Sequence, residues 1–163
     1  MMLPETPTIR ITYGSGSGPT KISSYDAALY DAGICNYNLV SVSSVIPEGS
    51  EVELVTEMPD LGPIGGRLWV VQARTTIGIK GERAVSGLAW VTGDNAGIFY
   101  ESSGEISKNN VLEELIQGID ACKKLRGWNF GETKIKIHSS EPNKTGFSTS
   151  IVVGVYGKSE SMF

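Results

Sequence analysis

The 163-residue chain reads as a single α+β domain built on mostly antiparallel sheets. Eight segments have the look of strands, and only two carry helical periodicity. The two kinds do not alternate as βαβ units would, which argues against a doubly wound parallel sheet. The length suits one domain, and neither an internal repeat nor an interdomain linker is visible.

The first strand is expected at Thr8–Tyr13, ending in Gly14-Ser15-Gly16-Ser17-Gly18-Pro19, which reads as a flexible loop. Such a stretch also lets a backbone approach a neighbour closely. It matches neither the P-loop nor the dinucleotide fingerprint, so a phosphate cradle is a poor reading. Ser23 or Ser24 can cap a short helix running to Ala32, with Asp26 in its first turn and Gly33 just past its end. Further strands are expected at Asn38–Ser43, Glu51–Val55, Arg67–Thr76, Ala84–Thr92 and Ala96–Tyr100. A loop rich in Pro and Gly spans Met58–Gly66.

The clearest helix begins after Ser107, a good capping residue. Val111, Leu112, Leu115, Ile116, Ile119 and Cys122 recur there at three- and four-residue steps, and Gly127 ends the segment. Thr133–His138 and Phe147–Tyr156 complete the strands.

Composition narrows the function. A net charge of −4 with scattered Lys and Arg offers no basic face for a nucleic acid. The densest cluster, Lys123, Lys124 and Arg126, falls at a helix C-terminus, where cations favour the dipole. The longest apolar stretch, Ile151–Tyr156, is too short to span a bilayer, and Met1–Glu5 lacks a signal peptide's basic start and apolar core. A soluble, cytoplasmic protein without membrane partners is the expectation. One histidine and two unclustered cysteines, Cys35 and Cys122, offer no metal-ligand spacing, so no metal site is expected. No nucleophile-elbow pattern surrounds a serine.

Four Ser-Ser pairs occur, and three of them have turn or capping explanations. Ser43-Ser44 differs because it stands where the run Asn38-Leu39-Val40-Ser41-Val42 meets Val45-Ile46-Pro47. Upstream lie Tyr25-Asp26-Ala27-Ala28-Leu29, Ala32-Gly33-Ile34 and Asn36-Tyr37-Asn38-Leu39. Downstream lie Gly97–Gly104 around Glu101, then Leu125-Arg126-Gly127-Trp128 and Lys144-Thr145-Gly146. In order and spacing this set resembles the pyruvoyl-dependent arginine decarboxylases, over about Ile9 to Lys158.

That resemblance implies a four-layer αββα sandwich assembling as homotrimers or pairs of trimers, with active sites near subunit interfaces. It implies self-cleavage into residues 1–43 and 44–163. A hydroxyl one residue after a strained carbonyl can attack it and turn the amide into an ester. Elimination then leaves a dehydroalanine, and hydrolysis gives ammonia and a pyruvoyl group at Ser44, the cofactor. That ketone is an electron sink: the substrate amine forms a Schiff base with it, and carbon dioxide departs. The substrate would be L-arginine and the product agmatine; another amino acid, or an uncleaved non-catalytic relative, are the alternatives.

Three side chains have candidate roles. Asn38 can donate to the oxyanion formed during cleavage without bringing a charge, although a turn role also explains it. Glu101 ends a strong apolar run and, if desolvated, could serve as the proton donor to the carbanion; a solvated turn residue is the alternative. Asp26 matches the family residue that contacts the substrate guanidinium, for which a carboxylate is the bidentate partner; helix-start electrostatics is its other explanation. Cys35 and Ala27 stand where the family's archaeal pattern has glycine, which bears on substrate preference.

Overall fold

The computed structural model describes residues 5–163. In chain order it contains β1 (Thr8–Gly18), α1 (Lys21–Asp31), β2 (Asn38–Ser41), β3 (Val45–Ile46), β4 (Glu51–Leu54) and β5 (Arg67–Ile77). These are followed by β6 (Val85–Thr92), β7 (Gly97–Glu105), α2 (Lys108–Lys124), β8 (Lys134–Ser139) and β9 (Phe147–Glu160). One sheet has the order β2-β5-β9-β1-β4 and the other β3-β7-β6-β8. Most pairings are antiparallel, as expected, but β2–β5 and β1–β4 at the two edges of the larger sheet are parallel.

Three hydrophobic cores mark the three gaps of a four-layer stack. Ala28 and Leu29 of α1 pack on Val70, Ile151 and Val153. Val71 and Val152, their neighbours in sequence, point the other way and meet Leu88 and Phe99 of the second sheet. Val85, Val91 and Ile98 then face Val111, Leu115 and Ile119 of α2. The period-two alternation of a strand sends consecutive residues to opposite cores. It also explains the unbroken apolar run in β9, whose two faces are both covered.

The Gly-Ser stretch is strand, not loop. It forms the second half of β1, and Gly14 to Gly18 pair with Ile151 to Phe147 on β9. The alternating glycines 14, 16 and 18 face α1, where a Cβ would meet the Ala28 carbonyl oxygen, the Ala27 Cβ and the Ser23 hydroxyl, respectively, at 2.4–2.6 Å. The pattern therefore seats a helix, the close-approach role of glycine. Helix α1 is capped by Thr20, which with Ser23 closes a capping box, rather than by Ser23 or Ser24. Its first turn accordingly starts earlier than expected and holds no acidic residue, so Asp26 lies mid-helix and helix-start electrostatics does not explain it.

Helix α2 starts after Ser107 as expected. Only Val111, Leu115 and Ile119 form its buried stripe, while Leu112 and Ile116 sit on the exposed shoulder. Cys122 is half-buried against the same core. No helix among the described residues is long and apolar enough to cross a membrane.

Candidate active site at the sheet crossover

Strand β2 belongs to the five-stranded sheet and β3 to the four-stranded one. The chain between them therefore crosses from one sheet to the other, and Ser43 and Ser44 are the crossing. The last bond to the first sheet is Val42 N–H to the Val70 carbonyl, 2.8 Å. The first to the second sheet is Phe99 N–H to the Ser44 carbonyl, 2.9 Å. Sequence reading placed a strand through Ser43 and a stop at Val45; the structure instead ends β2 at Ser41 and starts a two-residue strand at Val45.

The crossing is a tight turn. Val45 N–H donates to the Ser43 carbonyl at 3.0 Å, an i to i+2 bond centred on Ser44. The intervening Ser44–Val45 peptide is trans, so its C=O and N–H point in opposite directions. One end of this peptide accepts from Phe99 of β7, and the other end donates to the carbonyl of the Ser43–Ser44 bond. A hydrogen-bonded amide polarised on its acceptor side is a better donor on the other. Among the described residues the Ser44 N–H makes no hydrogen bond, so losing that nitrogen would break none of the turn's contacts. Ser43 is exposed and Ser44 half-buried.

Glu101 is carried to the same edge of the sandwich by β7. It follows Phe99 by two residues and pairs with Leu88, so it projects toward the gap between the sheets with those two apolar side chains. At about 3.3 Å of rise per residue, its Cα lies roughly 7 Å along β7 from the amide that holds Ser44. Glu101 is itself an exposed residue at the rim of that gap, and the partial burial of its carboxyl raises its pKa from the ordinary carboxylate value. Beyond it, the Arg74 N–H of β5 donates to Ser103 Oγ and the Gly104 N–H to Thr75 Oγ1, closing the two sheets onto each other.

The other two candidates are not brought to the serines within one chain. Asn38 opens β2 at the end opposite Ser43, roughly 15 Å of extended chain away. Its Nδ2 donates to the Gly65 carbonyl at 2.8 Å, and its N–H donates to Gly66 O. Asp26 is exposed on α1. Its neighbour Tyr25 donates to Gln72 Oε1 at 2.8 Å and lies under the Arg74 guanidinium, 3.6 Å from ring centroid to Cζ. Gln72 stands two residues past the last β2–β5 bond, so α1 reaches over the row where the chain leaves for Ser43.

Two participants escaped the sequence reading. The Val45 amide is invisible because any residue has one. Tyr156 donates its hydroxyl to the Val45 carbonyl at 2.9 Å from 111 positions away, a contact that no local pattern signals. The most pronounced cavities among the described residues measure about 260–430 Å³, and none of these is lined by Ser44 or Glu101.

Comparison with known proteins shows the family to which the whole chain is similar. Residues 8–161 match the family model described as pyruvoyl-dependent arginine decarboxylase. A protein of that name from Halobacterium salinarum is 40% identical over 158 residues, covering 96% of this chain and 98% of the relative. One from Thermococcus sibiricus is 34% identical over 125 residues, 76% of this chain and 78% of the relative. One from Methanothermobacter thermautotrophicus is 29% identical over 146 residues, 89% and 94% of the two chains.

Proposed function

The chain belongs to the pyruvoyl-dependent arginine decarboxylase family, and from that premise we propose that it cleaves itself between Ser43 and Ser44 and then decarboxylates L-arginine to agmatine. The observation that carries this reading is the Ser43 carbonyl held in a tight turn, with a donor already on its oxygen, at the sheet edge that also carries Glu101.

Cleavage is self-contained. Ser44 Oγ attacks the Ser43 carbonyl carbon, the C–N bond breaks, and the hydroxyl proton ends on the freed Ser44 nitrogen. Loss of the Ser44 α-proton then expels the Ser43 carboxylate from Cβ and leaves a dehydroalanine. Its imine tautomer takes up water, releases ammonia and becomes the pyruvoyl ketone. The residues present fit that group, since it keeps the carbonyl that Phe99 N–H holds and gives up a nitrogen that bonds nothing.

When formed at Ser44, the pyruvoyl group would supply an electron sink for the decarboxylation of the amino-acid substrate. The protein supplies the rest. Glu101, whose partly desolvated carboxyl keeps its proton to higher pH than a fully solvated one, would return a proton to the substrate carbon. Asp26 would pair with the guanidinium. Asn38 would assist cleavage indirectly, by fixing the entry of the strand that delivers Ser43. A homotrimer or pair of trimers would complete the site, because Asp26 and Ser44 do not meet within one chain and the turn is open to solvent.

The two products would stay together. Strand β1 of the short piece lies between β9 and β4 of the long one, and β2 pairs with β5. A denaturing mass spectrum of the purified protein tests the reading: fragments 1–43 and 44–163 are expected, the larger blocked by a pyruvoyl group, with both travelling as one species until denaturant is added. A single chain that stays intact on prolonged incubation at raised temperature would refute it.

A further inference from the structure

Strand β3 is two residues long and pairs only with β7. So short an edge strand fixes its own backbone weakly, yet the turn before it must aim one amide at one carbonyl oxygen. Phe99 N–H anchors the peptide preceding the Val45 α-carbon. The peptide following it is anchored from the opposite sheet, where Tyr156 of β9 donates to the Val45 carbonyl at 2.9 Å. With both flanking peptides pinned, Val45 has no free backbone rotation, and its N–H stays on the Ser43 oxygen.

We propose that Tyr156 is a positioning residue for backbone cleavage, and that the oxyanion formed at Ser43 is stabilised by the Val45 N–H which Tyr156 and Phe99 hold in place. The proposal rests on the self-cleavage reading and goes beyond it, because it moves the oxyanion donor from the Asn38 side chain to the main chain. Within its own chain Asn38 donates to Gly65 at the far end of β2, whereas the Val45 N–H already touches the carbonyl under attack. Tyr156 is itself held firmly. Its backbone pairs with Ile9 and Trp69, and its ring meets that of Phe99 edge-on at 6.2 Å. Burial pushes its hydroxyl up to about 12, so the group remains a neutral donor throughout the range in which the protein would work.

Tyr156→Phe keeps the ring and removes the one oxygen. Freshly purified wild type and variant would be incubated side by side, and the intact fraction followed by denaturing mass spectrometry. The variant is expected to cleave about tenfold more slowly, the effect of losing one neutral hydrogen bond that positions a donor. Equal rates would overturn the proposal while leaving self-cleavage intact; a wild type that never cleaves would overturn the reading beneath it. Amide hydrogen exchange in the non-cleaving Ser44→Ala background separates positioning from general loosening. Adding Tyr156→Phe there should raise exchange at Val45 and leave the neighbouring β7 amides of Ile98 and Phe99 unchanged. A rise at all three, or at none, would reject a positioning role.

Discussion

Replacing Gly16 with alanine should lift α1 from the five-stranded sheet. A Cβ at that position would lie 2.5 Å from Ala27 Cβ, 2.7 Å from the Ala27 carbonyl carbon and 2.8 Å from the Ala28 amide nitrogen. Carbon atoms in contact sit about 3.5–4.0 Å apart, so helix and strand must separate by roughly 1 Å. Two of the three clashing atoms are backbone, and no rotamer change relieves them. The movement would open the core around Ala28, Leu29, Val70 and Val153. Overpacking of this kind costs about 1–3 kcal/mol. For a domain of this size each kcal/mol lowers the melting temperature by about 2–4 °C, so a fall of roughly 2–12 °C is expected in a thermal melt. Gly131→Ala is the control, because its Cβ would meet only the Thr92 carbonyl at 3.5 Å, an ordinary contact. A Gly16→Ala melt within about 1 °C of wild type would refute the reasoning, and with it the account of why glycines alternate along β1.

Two further outcomes concern the chemistry. Glu101→Gln should leave self-cleavage in place and lower arginine turnover by about 10²–10⁴, the usual contribution of a positioned acid. Its wild-type pKa is raised by burial, so decarboxylation should decline as pH rises through that value; Glu101 also favours the fold below its unfolded pKa, and that contribution is lost as pH rises through the folded one. Pre-steady-state rates and melts across pH, on wild type and variant, would check both, and a pH profile unchanged by the substitution would remove Glu101 from proton transfer. Asp26→Asn should raise the KM for arginine on the order of tenfold or more with little change in kcat, since a charge-assisted pair is lost. An unaltered KM in a steady-state assay would exclude Asp26 from the substrate site.

The parts of the fold legible in the sequence are those in which local pattern and tertiary environment agree. Helix α2 announces itself through Ser107 and the spacing of Val111, Leu115 and Ile119, because one face alone is covered. The strands β5, β6 and β9 are legible as apolar β-branched runs. The second half of β1 was not, since Gly and Ser carry turn propensity and only the helix lying across them explains their alternation. The ordered motifs at Ser43-Ser44, Glu101 and Asp26 pointed to the family that the whole-chain match bears out.

By itself the sequence determined most of the element types, the two-helix α+β class and the family, because hydrophobic periodicity and ordered motifs are properties of neighbours along the chain. Only the tertiary structure decided that Ser43-Ser44 bridges two sheets, that Glu101 stands at the rim of the gap between them, and that Asn38 bonds to Gly65 rather than to the serines of its own chain. It also brought Tyr156 to Val45. Those relations depend on which strands pair across long stretches of chain, and strand pairing is set by the joint burial of both sheets rather than by any segment alone.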